Sequence, residues 1–360
     1  MKILFVSEAR NWSGGSNQML LTGLEFQRRG HEVTVAVPDD GYCYSKFSQE
    51  GLKCLPLGIK QDYDVASAMR LKAYAAACGA DIVHAHHPRA HAVALIARHI
   101  GMKAPLIVTR RVIFRIRVNP FSAIKYRSPK IDRYIAVCNA TKTELVKGGV
   151  RAEKISVIPS GVTWERFEAA RAARASFEFK PPYRIGVIGH YSWFKGHDYM
   201  VQAAPLILKE IPQARFVFAG RDTDKLLPMA EKLGVASSFD ILGERRDVPE
   251  ILSTLHVFAM PSLQEGIATA LMEAQAAGVP SVASSIGGIP DVMVDGKTGI
   301  LFPSENPRAL ADAVIRMIKD EAARRSMAAA ALERVLENFT IPAVSSRLLE
   351  CYGEVCGGRK

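Results

Sequence analysis

The stretch from residue 256 to residue 278 constrains the fold more than any other part of the sequence. It opens with an apolar run, residues 256–260, that ends at Pro261, and this pattern predicts a buried strand closed by a proline. Residues 269–277 are rich in helix formers and end at a Gly-Val-Pro stop signal. A tight turn, residues 265–268, therefore joins the carboxyl end of a parallel strand to the N-terminus of a helix. Such a junction offers free backbone N–H groups and the positive end of a helix dipole, both of which favour a bound phosphate.

Two glutamates flank this junction. Glu265 lies on the turn, and Glu273 lies about two helical turns further along the chain. At about 100° per residue, the second carboxylate returns to within roughly 80° of the first, so both can border one cleft. Carboxylates accept paired hydrogen bonds from the neighbouring hydroxyls of a sugar or a ribose. The alternative interpretation is an ordinary acidic helix start with one solvated glutamate.

The Glu-x7-Glu spacing is preceded by Pro261-Ser262 and followed by Ala-Gly-Val-Pro at residues 277–280. This combination resembles the signature of the large group 1 family of retaining glycosyltransferases, which have the GT-B fold and include bacterial enzymes of envelope-glycan synthesis. Further matches extend over nearly the whole chain. The resemblance implies an α/β chain of GT-B fold, with two Rossmann-like domains facing across a cleft that closes on substrate.

The resemblance also implies roles for the residues of the turn. Glu265 is expected to be catalytic and to hold the hydroxyls of the donor sugar, and Glu273 is expected to hold the ribose. The donor diphosphate is expected to approach the backbone of Gly266, Ile267 and Ala268. The family usually has glycine at the last of these positions, and alanine costs little there unless φ must be positive.

A glycine loop belongs to the first βαβ unit. An apolar strand, residues 2–7, precedes the loop at residues 13–17, and a helix over residues 18–29 leads to a second strand. A glycine loop at a helix N-terminus can cradle a phosphate or a sugar diphosphate, but the third glycine of the dinucleotide fingerprint is missing here. In the family that the chain resembles, the second glycine faces the donor phosphates, so Gly15 is a predicted donor-binding residue. Ordinary turn chemistry is the alternative.

Four histidines cluster at the end of a predicted strand, residues 80–85: His84, His86, His87 and His91. Strand alternation places His84 and His86 on one face and His87 on the other, and no carboxylate or thiolate joins them nearby, so a metal site is disfavoured. In the family, a histidine at this strand end lies against the transferred sugar, and by register that residue is His86. Its expected role is catalytic, to orient and to stabilise charge near the anomeric carbon. We interpret His84 as a packed core histidine.

The second half of the chain restarts with a strand, residues 183–188, and a turn that ends in Lys195-Gly196. Lys195 resembles the basic residue with which the family binds the donor diphosphate. Its ammonium would neutralise the charge that develops on the departing nucleotide. His190 stands in the vicinity where an arginine often accompanies that lysine.

The run Asp222-Thr223-Asp224 imitates the Asp-x-Asp metal motif of the other large glycosyltransferase fold. It follows a predicted strand in a polar loop, so we interpret both carboxylates as solvated loop acids. The resemblance implies that neither a metal nor a cofactor is required, because the nucleotide sugar is a substrate.

The formal net charge of +11 is unevenly distributed. Residues 1–160 contain 24 Lys and Arg against 12 Asp and Glu, whereas residues 161–360 contain 23 against 24. Between Arg110 and Arg133 the basic residues are interleaved with large apolar ones, as on an interfacial surface, where each basic residue near an anionic leaflet gains ~1 kcal/mol. The predicted acceptor or membrane surface comprises Arg110, Arg111, Arg115, Arg117, Lys125 and Arg127. An ordinary exposed face is the alternative, and nucleic acid is disfavoured because no recognition module accompanies the charges.

The sequence predicts four segments. They are an N-terminal Rossmann-like acceptor-side domain at 1–163, an interdomain connection at 164–182, a C-terminal Rossmann-like domain that binds the nucleotide sugar at 183–338, and a final helix at 339–360 that crosses back to the N-terminal domain. No apolar run approaches the length of a membrane span, and six cysteines without a Cys-x-x-Cys pair indicate a reduced compartment. We therefore expect a cytoplasmic protein, peripheral on the inner face of the cytoplasmic membrane.

Together these patterns predict a retaining, metal-independent hexosyltransferase. It would move a sugar from a nucleoside diphosphate sugar to a hydroxyl of an anionic glycolipid or glycan of the cell envelope, of the lipopolysaccharide type. The expected partners are this donor, this acceptor and an anionic membrane surface. Two alternatives stay open: a sugar-nucleotide epimerase of similar architecture, which would need no basic acceptor surface, and a non-enzymatic protein that binds anionic surfaces and has a degenerate site.

Overall fold

The computed structural model of the chain describes residues 1–113, 116 and 120–358. It divides into two compact units, of which the first comprises Met1–Gly161 and Ile341–Lys360 and the second Val162–Thr340. Each unit has a parallel β-sheet with helices in the connections, so the predicted α/β class with two Rossmann-like units is confirmed. In the described part of the chain, no helix is long and apolar enough to cross a membrane.

Seven strands of the described residues form the sheet of the first unit. They are β1 (Lys2–Val6), β2 (Glu32–Val37), β3 (Lys53–Pro56), β4 (Ile82–Ala85), β5 (Leu106–Arg110), β6 (Arg133–Ala136) and β7 (Ile155–Val157). They stand in the order β3-β2-β1-β4-β5-β6-β7, with neighbours parallel. The order reverses between β1 and β4, where Val6 pairs with Ala85. The loops after β1 and β4 therefore leave the sheet at its switch point, where open parallel sheets bind ligands.

Helices connect these strands: α1 (Gly14–Arg28), α2 (Tyr42–Gln49), α3 (Val65–Ala77), α4 (Pro88–His99), α5 (Pro120–Arg127) and α6 (Asn139–Lys147). Helix α1 begins earlier than the sequence predicted. Ser13 is its N-cap, and the Ser13 side chain accepts a hydrogen bond from the backbone N–H of Ser16. Gly14 and Gly15 therefore form the first turn of the helix instead of a separate loop.

The second unit repeats this plan. Its strands are β8 (Tyr183–Ile188), β9 (Ala214–Ala219), β10 (Phe239–Gly243), β11 (Val257–Met260), β12 (Ser281–Ser284) and β13 (Ile300–Phe302), in the order β10-β9-β8-β11-β12-β13. Its helices are α7 (Glu168–Arg174), α8 (His197–Glu210), α9 (Leu227–Lys232), α10 (Val248–Ser253), α11 (Thr269–Ala276), α12 (Ile289–Val292), α13 (Pro307–Lys319) and α14 (Glu321–Asn338). The order reverses between β8 and β11, which defines the switch point of this sheet.

Residues 164–182, expected from the sequence to be the interdomain connection, cluster with the second unit. Phe167 and Ala170 of this segment are buried in the same apolar core as Leu255 and Leu271. Burial of these side chains holds the segment to the unit.

The last helix, α15 (Ile341–Gly357), returns to the first unit. The hydroxyl of its buried Tyr352 lies 2.5 Å from Nδ1 of His84, and Nε2 of His84 lies 2.6 Å from Oγ1 of Thr109. Burial lowers the pKa of His84 to about 3, so the imidazole is neutral and both of its nitrogens are paired. His84 is therefore a packed core histidine, as the sequence indicated, and it links β4 to α15 and β5.

We expect Tyr352→Phe to lower the free energy of unfolding by about 1–3 kcal/mol, because the change leaves a buried nitrogen of His84 without its partner. Equilibrium unfolding in urea, followed by circular dichroism, measures the loss. Tyr63→Phe is the control, since Tyr63 is 71 % exposed. Equal unfolding midpoints for the two variants would contradict the role assigned to this hydrogen bond.

Candidate active site

Two loops of the second unit leave neighbouring strand ends at the switch point. Residues 189–196 follow β8, and residues 261–268 follow β11. The carbonyl of Phe194 accepts hydrogen bonds from the N–H groups of Leu263 at 2.8 Å and of Gln264 at 3.2 Å. The two loops are therefore joined backbone to backbone, and their side chains converge on one place.

Gly196 sets how closely these loops approach. It has a φ of +66°, and a Cβ built on it would lie 1.9 Å from the carbonyl oxygen of Pro261. Both the left-handed conformation and the contact exclude a side chain. Because Lys195 directly precedes this glycine, its side chain is carried to the loop that bears Glu265.

Lys195 and Glu265 form an ion pair, with Nζ of the lysine 2.8 Å from Oε1 of the glutamate. The side chains are 24 % and 11 % exposed, so water screens this pair less than a surface ion pair. The ammonium can bind a phosphate while the carboxylate accepts hydrogen bonds from sugar hydroxyls. Two residues predicted from the sequence thus lie side by side.

The turn that follows Glu265 opens helix α11. Ala268 is the N-cap residue, with a φ of −82°, and no side chain caps the helix. The N–H of Thr269 donates to the carbonyl of Ile267 at 3.0 Å, whereas the next N–H groups of the first turn have no side-chain cap and can meet an anion, which the helix dipole favours. The negative φ of Ala268 explains why alanine is accommodated where the family usually has glycine. The carbonyl of Glu265 accepts a hydrogen bond from Gly288, which anchors the turn.

Glu273 lies in the middle of α11 and is partly buried. Burial raises the pKa of its carboxyl from 4.5 to about 7, and the nearby Arg166 offsets only part of this shift. The folded chain therefore holds this proton more tightly than the unfolded chain, and this group makes the free energy of unfolding fall as the pH rises from about 4.5 to about 7. Hydroxyl donors that pair with the carboxylate would offset its desolvation.

Two histidines near the lysine have structural partners. Nε2 of the buried His197, the first residue of α8, lies 3.2 Å from the carbonyl oxygen of Gly189, and burial lowers the pKa of His197 to about 4. His190 is exposed, and its Nδ1 accepts a hydrogen bond from the N–H of Arg221. The sequence did not single out His197, although its place directly after Lys195-Gly196 marks the start of the helix.

The Asp222-Thr223-Asp224 run lies in the loop after β9. Asp222 has a φ of 62° and forms an ion pair with Lys225, with 2.9 Å between the charged atoms. The described residues contain no group of three side chains that could hold a metal ion.

Polar side chains also meet at the switch point of the first unit. Oγ of Ser7, after β1, lies 2.7 Å from Nδ1 of His87, after β4. A Cβ built on Gly15 would lie 3.1 Å from Nε2 of His87 and 3.5 Å from Cδ of Arg111. The absence of a side chain at Gly15 thus allows the start of α1 to approach His87 and Arg111. The sequence did not select His87 for the site, because its strand register pointed to the opposite face.

His86 is buried, and its ring centroid lies 4.0 Å from that of His84 and 4.7 Å from that of Phe5. Neither ring nitrogen has a hydrogen-bond partner among the described residues. Burial lowers the pKa of His86 well below 6.5, so the ring is neutral. A buried polar group without a partner needs an explanation, and a ligand that pairs with one nitrogen supplies it.

Two of the predicted basic residues are wholly or partly buried. Arg110, the last residue of β5, is buried and donates a hydrogen bond to the hydroxyl of Tyr126 at 3.0 Å, so it does not lie on an exposed membrane-facing surface, and its part in acceptor binding stays a prediction. Its position at a central strand end turns the side chain inward. Arg111 is partly buried and donates to Oγ of Ser160 at 3.0 Å, and burial lowers its pKa to about 10.

The other predicted basic residues lie on or near α5. Nζ of Lys125 pairs with Asp62 at 3.0 Å and donates to the carbonyl of Pro88 at 2.7 Å. Arg127 is exposed and donates to the carbonyl of Gly148. Arg115 and Arg117 lie outside the described residues.

Comparison with known families covers most of the chain. Residues 12–166 match the model "Glycosyltransferase Family 4", and residues 170–334 match the model "Glycosyl transferases group 1". The boundary between the two matches falls close to the passage from the first unit to the second.

Two curated relatives illustrate the likeness in sequence. D-inositol 3-phosphate glycosyltransferase of Corynebacterium diphtheriae is 30 % identical over 180 residues, which are 47 % of this chain and 42 % of that protein. The match thus spans less than half the length of that relative. N-acetyl-alpha-D-glucosaminyl L-malate synthase of Bacillus anthracis is 25 % identical over 354 residues, and the match covers 92 % of each chain.

The fold has a close counterpart among solved structures. The crystal structure of Anabaena Alr3699/HepE in complex with UDP superposes with a TM-score of 0.86 at 20 % identity, over 98 % of this chain and 100 % of that one. With two glycosyltransferase family models in succession along its length and this shared fold, the chain belongs to the group 1 glycosyltransferases of GT-B fold.

Proposed function

We propose that the protein is a retaining, metal-independent glycosyltransferase that moves a sugar from a nucleoside diphosphate sugar to a hydroxyl of an anionic glycolipid or glycan of the cell envelope. The observation that carries this proposal is the ion pair of Lys195 and Glu265 beside the uncapped N-terminus of α11. A cation and open N–H groups suit a diphosphate, and the adjacent carboxylate suits a sugar.

The donor would be held by the second unit. Lys195 and the backbone of Gly266, Ile267 and Ala268 bind the diphosphate, Glu265 binds the sugar hydroxyls, and Glu273 binds the ribose. Lys195 and the helix dipole neutralise the charge that develops on the leaving diphosphate, a task that a metal ion performs in other glycosyltransferases. The UDP bound to Anabaena Alr3699/HepE supports a nucleotide in this role.

The transfer would retain the configuration at the anomeric carbon. The acceptor oxygen attacks from the face that the diphosphate leaves, the bond from the anomeric carbon to the phosphate oxygen breaks, and that oxygen takes the acceptor proton. The unpartnered, neutral ring of His86 would pair with the reacting sugar at this stage.

The acceptor would carry an anionic group. The names of both curated relatives contain an acid, inositol 3-phosphate in one and L-malate in the other. In this chain, Arg111 is partly buried and has no ion pair with a carboxylate among the described residues. An anionic acceptor would supply the missing charge.

The place of action would be the inner face of the cytoplasmic membrane. The charge excess of the first 160 residues and exposed apolar residues such as Ile124 on α5, which is 66 % exposed, support a surface that meets anionic lipids.

We expect Lys195→Ala to weaken binding of the preferred nucleoside diphosphate by about 10- to 150-fold, because a charge-assisted hydrogen bond worth about 1.5–3 kcal/mol is lost. The measurement is calorimetric titration with UDP, GDP and ADP. Lys225→Ala is the matched control, since Lys225 of the same unit also pairs with a carboxylate, that of Asp222. Equal nucleotide affinities of both variants would contradict the donor site.

We expect transferase activity to persist in EDTA, because the proposed reaction needs no metal ion. Loss of activity in EDTA, with rescue by Mn²⁺, would contradict metal independence.

We expect the affinity for the nucleotide sugar to rise as the pH increases from 6 to 8. Glu273 has a pKa of about 7, and its carboxylate form accepts the ribose hydroxyls, so protonation below this pH weakens binding. The diphosphate of a nucleotide sugar stays ionised over this range, which leaves the protein as the source of the change. Glu273→Gln should bind more weakly and with a flat pH profile. If the affinity of Glu273→Gln rose with pH as steeply as that of the wild type, Glu273 would be excluded as the titrating group.

We expect the protein to bind vesicles of anionic lipid, and binding to weaken steeply with salt, because the screening length falls from about 10 Å at 0.1 M to about 3 Å at 1 M. Arg127→Ser should reduce the partition coefficient about fivefold, the equivalent of ~1 kcal/mol for one basic residue. Arg308→Ser, on the second unit and also exposed, is the control. Co-sedimentation that is equal for neutral and anionic vesicles would argue for a water-soluble acceptor.

A further inference from the structure

A cavity of about 980 Å³ lies within the first unit. Its size is at the upper end of the range for small-molecule sites. One face of α4 forms its wall, through Pro88, His91, Ala92, Leu95 and Ile96. These positions are spaced by three or four residues, so the cavity follows the helix for about two turns, or roughly 12 Å.

The two ends of the cavity differ in polarity. Ser13, Gly15, His86, His87 and Arg111 line the end at the switch point of the sheet. Leu95, Ile96, Val108, Ile116 and Ile124 form the apolar part of the lining. Asp62, Arg110 and Lys125 also line the cavity, but Lys125 pairs with Asp62 and Arg110 donates to the hydroxyl of Tyr126. A hydrocarbon chain that lies along the apolar part would gain free energy by leaving water.

The polar end supplies a charge for an anion. Arg111 donates one hydrogen bond to Ser160, its Nε has no partner, and no carboxylate of the described residues pairs with it. The N-terminus of α1 approaches the same place, because Gly15 lies against Arg111 and His87. A phosphate group at this end would be met by a guanidinium and by a helix dipole.

His91 adds a polar contact halfway along the cavity. It is buried, it packs against the rings of Tyr126 and Tyr134, and its Nε2 has no partner among the described residues. An oxygen that joins a head group to a chain could pair with this nitrogen.

We propose that this cavity binds the acceptor as an amphiphile, with a phosphate near Arg111 and a hydrocarbon chain along α4. The acceptor of the transferase is then a phosphate-linked lipid, an inference that rests on the proposed function and narrows its acceptor to one class. The exposed side chains of Tyr63 and Ile124, at 71 % and 66 %, belong to the lining and give the chain an apolar entrance from a leaflet.

The test measures binding of n-alkyl phosphates to the full chain by calorimetry, below their critical micelle concentrations. Each buried methylene should tighten binding about fourfold, so octyl phosphate should bind about 250-fold more tightly than butyl phosphate, and inorganic phosphate most weakly. Equal affinities for the butyl and octyl compounds would overturn the proposal.

Two variants locate the bound chain. Ala92→Phe fills the cavity from α4, and Ile124→Glu places a charge at its entrance, so each should reduce the affinity for octyl phosphate at least tenfold. Val146→Glu is the control, because Val146 is also an exposed aliphatic residue on a helix of this unit but does not line the cavity. If Ala92→Phe does not fold, the affinity of Ile124→Glu for octyl phosphate is the deciding measurement. Ile124 is exposed, so its substitution leaves the buried core unchanged. If Ala92→Phe and Ile124→Glu bound octyl phosphate as tightly as Val146→Glu does, the assignment of the ligand to this cavity would be overturned.

Nucleotide titration of the same preparation separates the two hypotheses. A wild-type chain that binds a nucleoside diphosphate but shows no dependence on alkyl length keeps its proposed function and loses this acceptor class. A chain that binds no nucleotide loses the proposed function, whatever its response to alkyl phosphates.

Discussion

The contact between Gly196 and the carbonyl of Pro261 governs the geometry of the second unit's site. Since a Cβ at Gly196 would lie 1.9 Å from that oxygen, only glycine lets the loops after β8 and β11 touch through their backbones. The position of Lys195 relative to Glu265 is consequently set by two neighbouring strands of a rigid sheet. A lysine on its own has a long, flexible stem, so a backbone constraint of this kind reduces the entropy that binding must overcome.

The buried histidines of the first unit show where the interior is complete and where it is open. His84 has a hydroxyl partner on each ring nitrogen and belongs to the packed core. His86, two residues later, has none among the described residues, and His91 has a nitrogen without a partner. Native interiors rarely leave such groups unpaired, so the change from satisfied to unsatisfied rings marks the boundary between structural and ligand-binding parts of this unit.

The general fold could be predicted because its signals are local. Apolar runs closed by proline or glycine identify the strands, and the strand-turn-helix around Glu265 places that residue at a sheet edge. Pairs that are distant in sequence, such as Ser7 with His87 or Arg111 with Ser160, depend on which strands become neighbours, and spacing along the chain does not encode this.

Charge was the least reliable guide. Arg110 stands in the basic run predicted to form an acceptor or membrane surface, yet it is buried against Tyr126, because the end of a central strand directs its side chain inward. Composition records how many charges a segment carries, and it contains no information on which of them the sheet encloses. The cavity could not be predicted for a related reason, since the sequence does not show that side chains of α4 and of residues 108–126 surround one space.

Helix α15 has a consequence for the order in which the protein can be completed. Its Leu348 and Tyr352 share an apolar core with Phe5 and Ile107, so part of the first unit's interior is supplied by residues more than 300 positions away from its first strand. A ribosome therefore delivers all of Val162–Thr340 before the first unit receives its last core element. Domains usually fold from the N-terminus as they emerge, but here the second unit can close first, while the first waits with an uncovered sheet face for the arrival of Tyr352. During this interval the nascent chain exposes an apolar surface to which chaperones can bind.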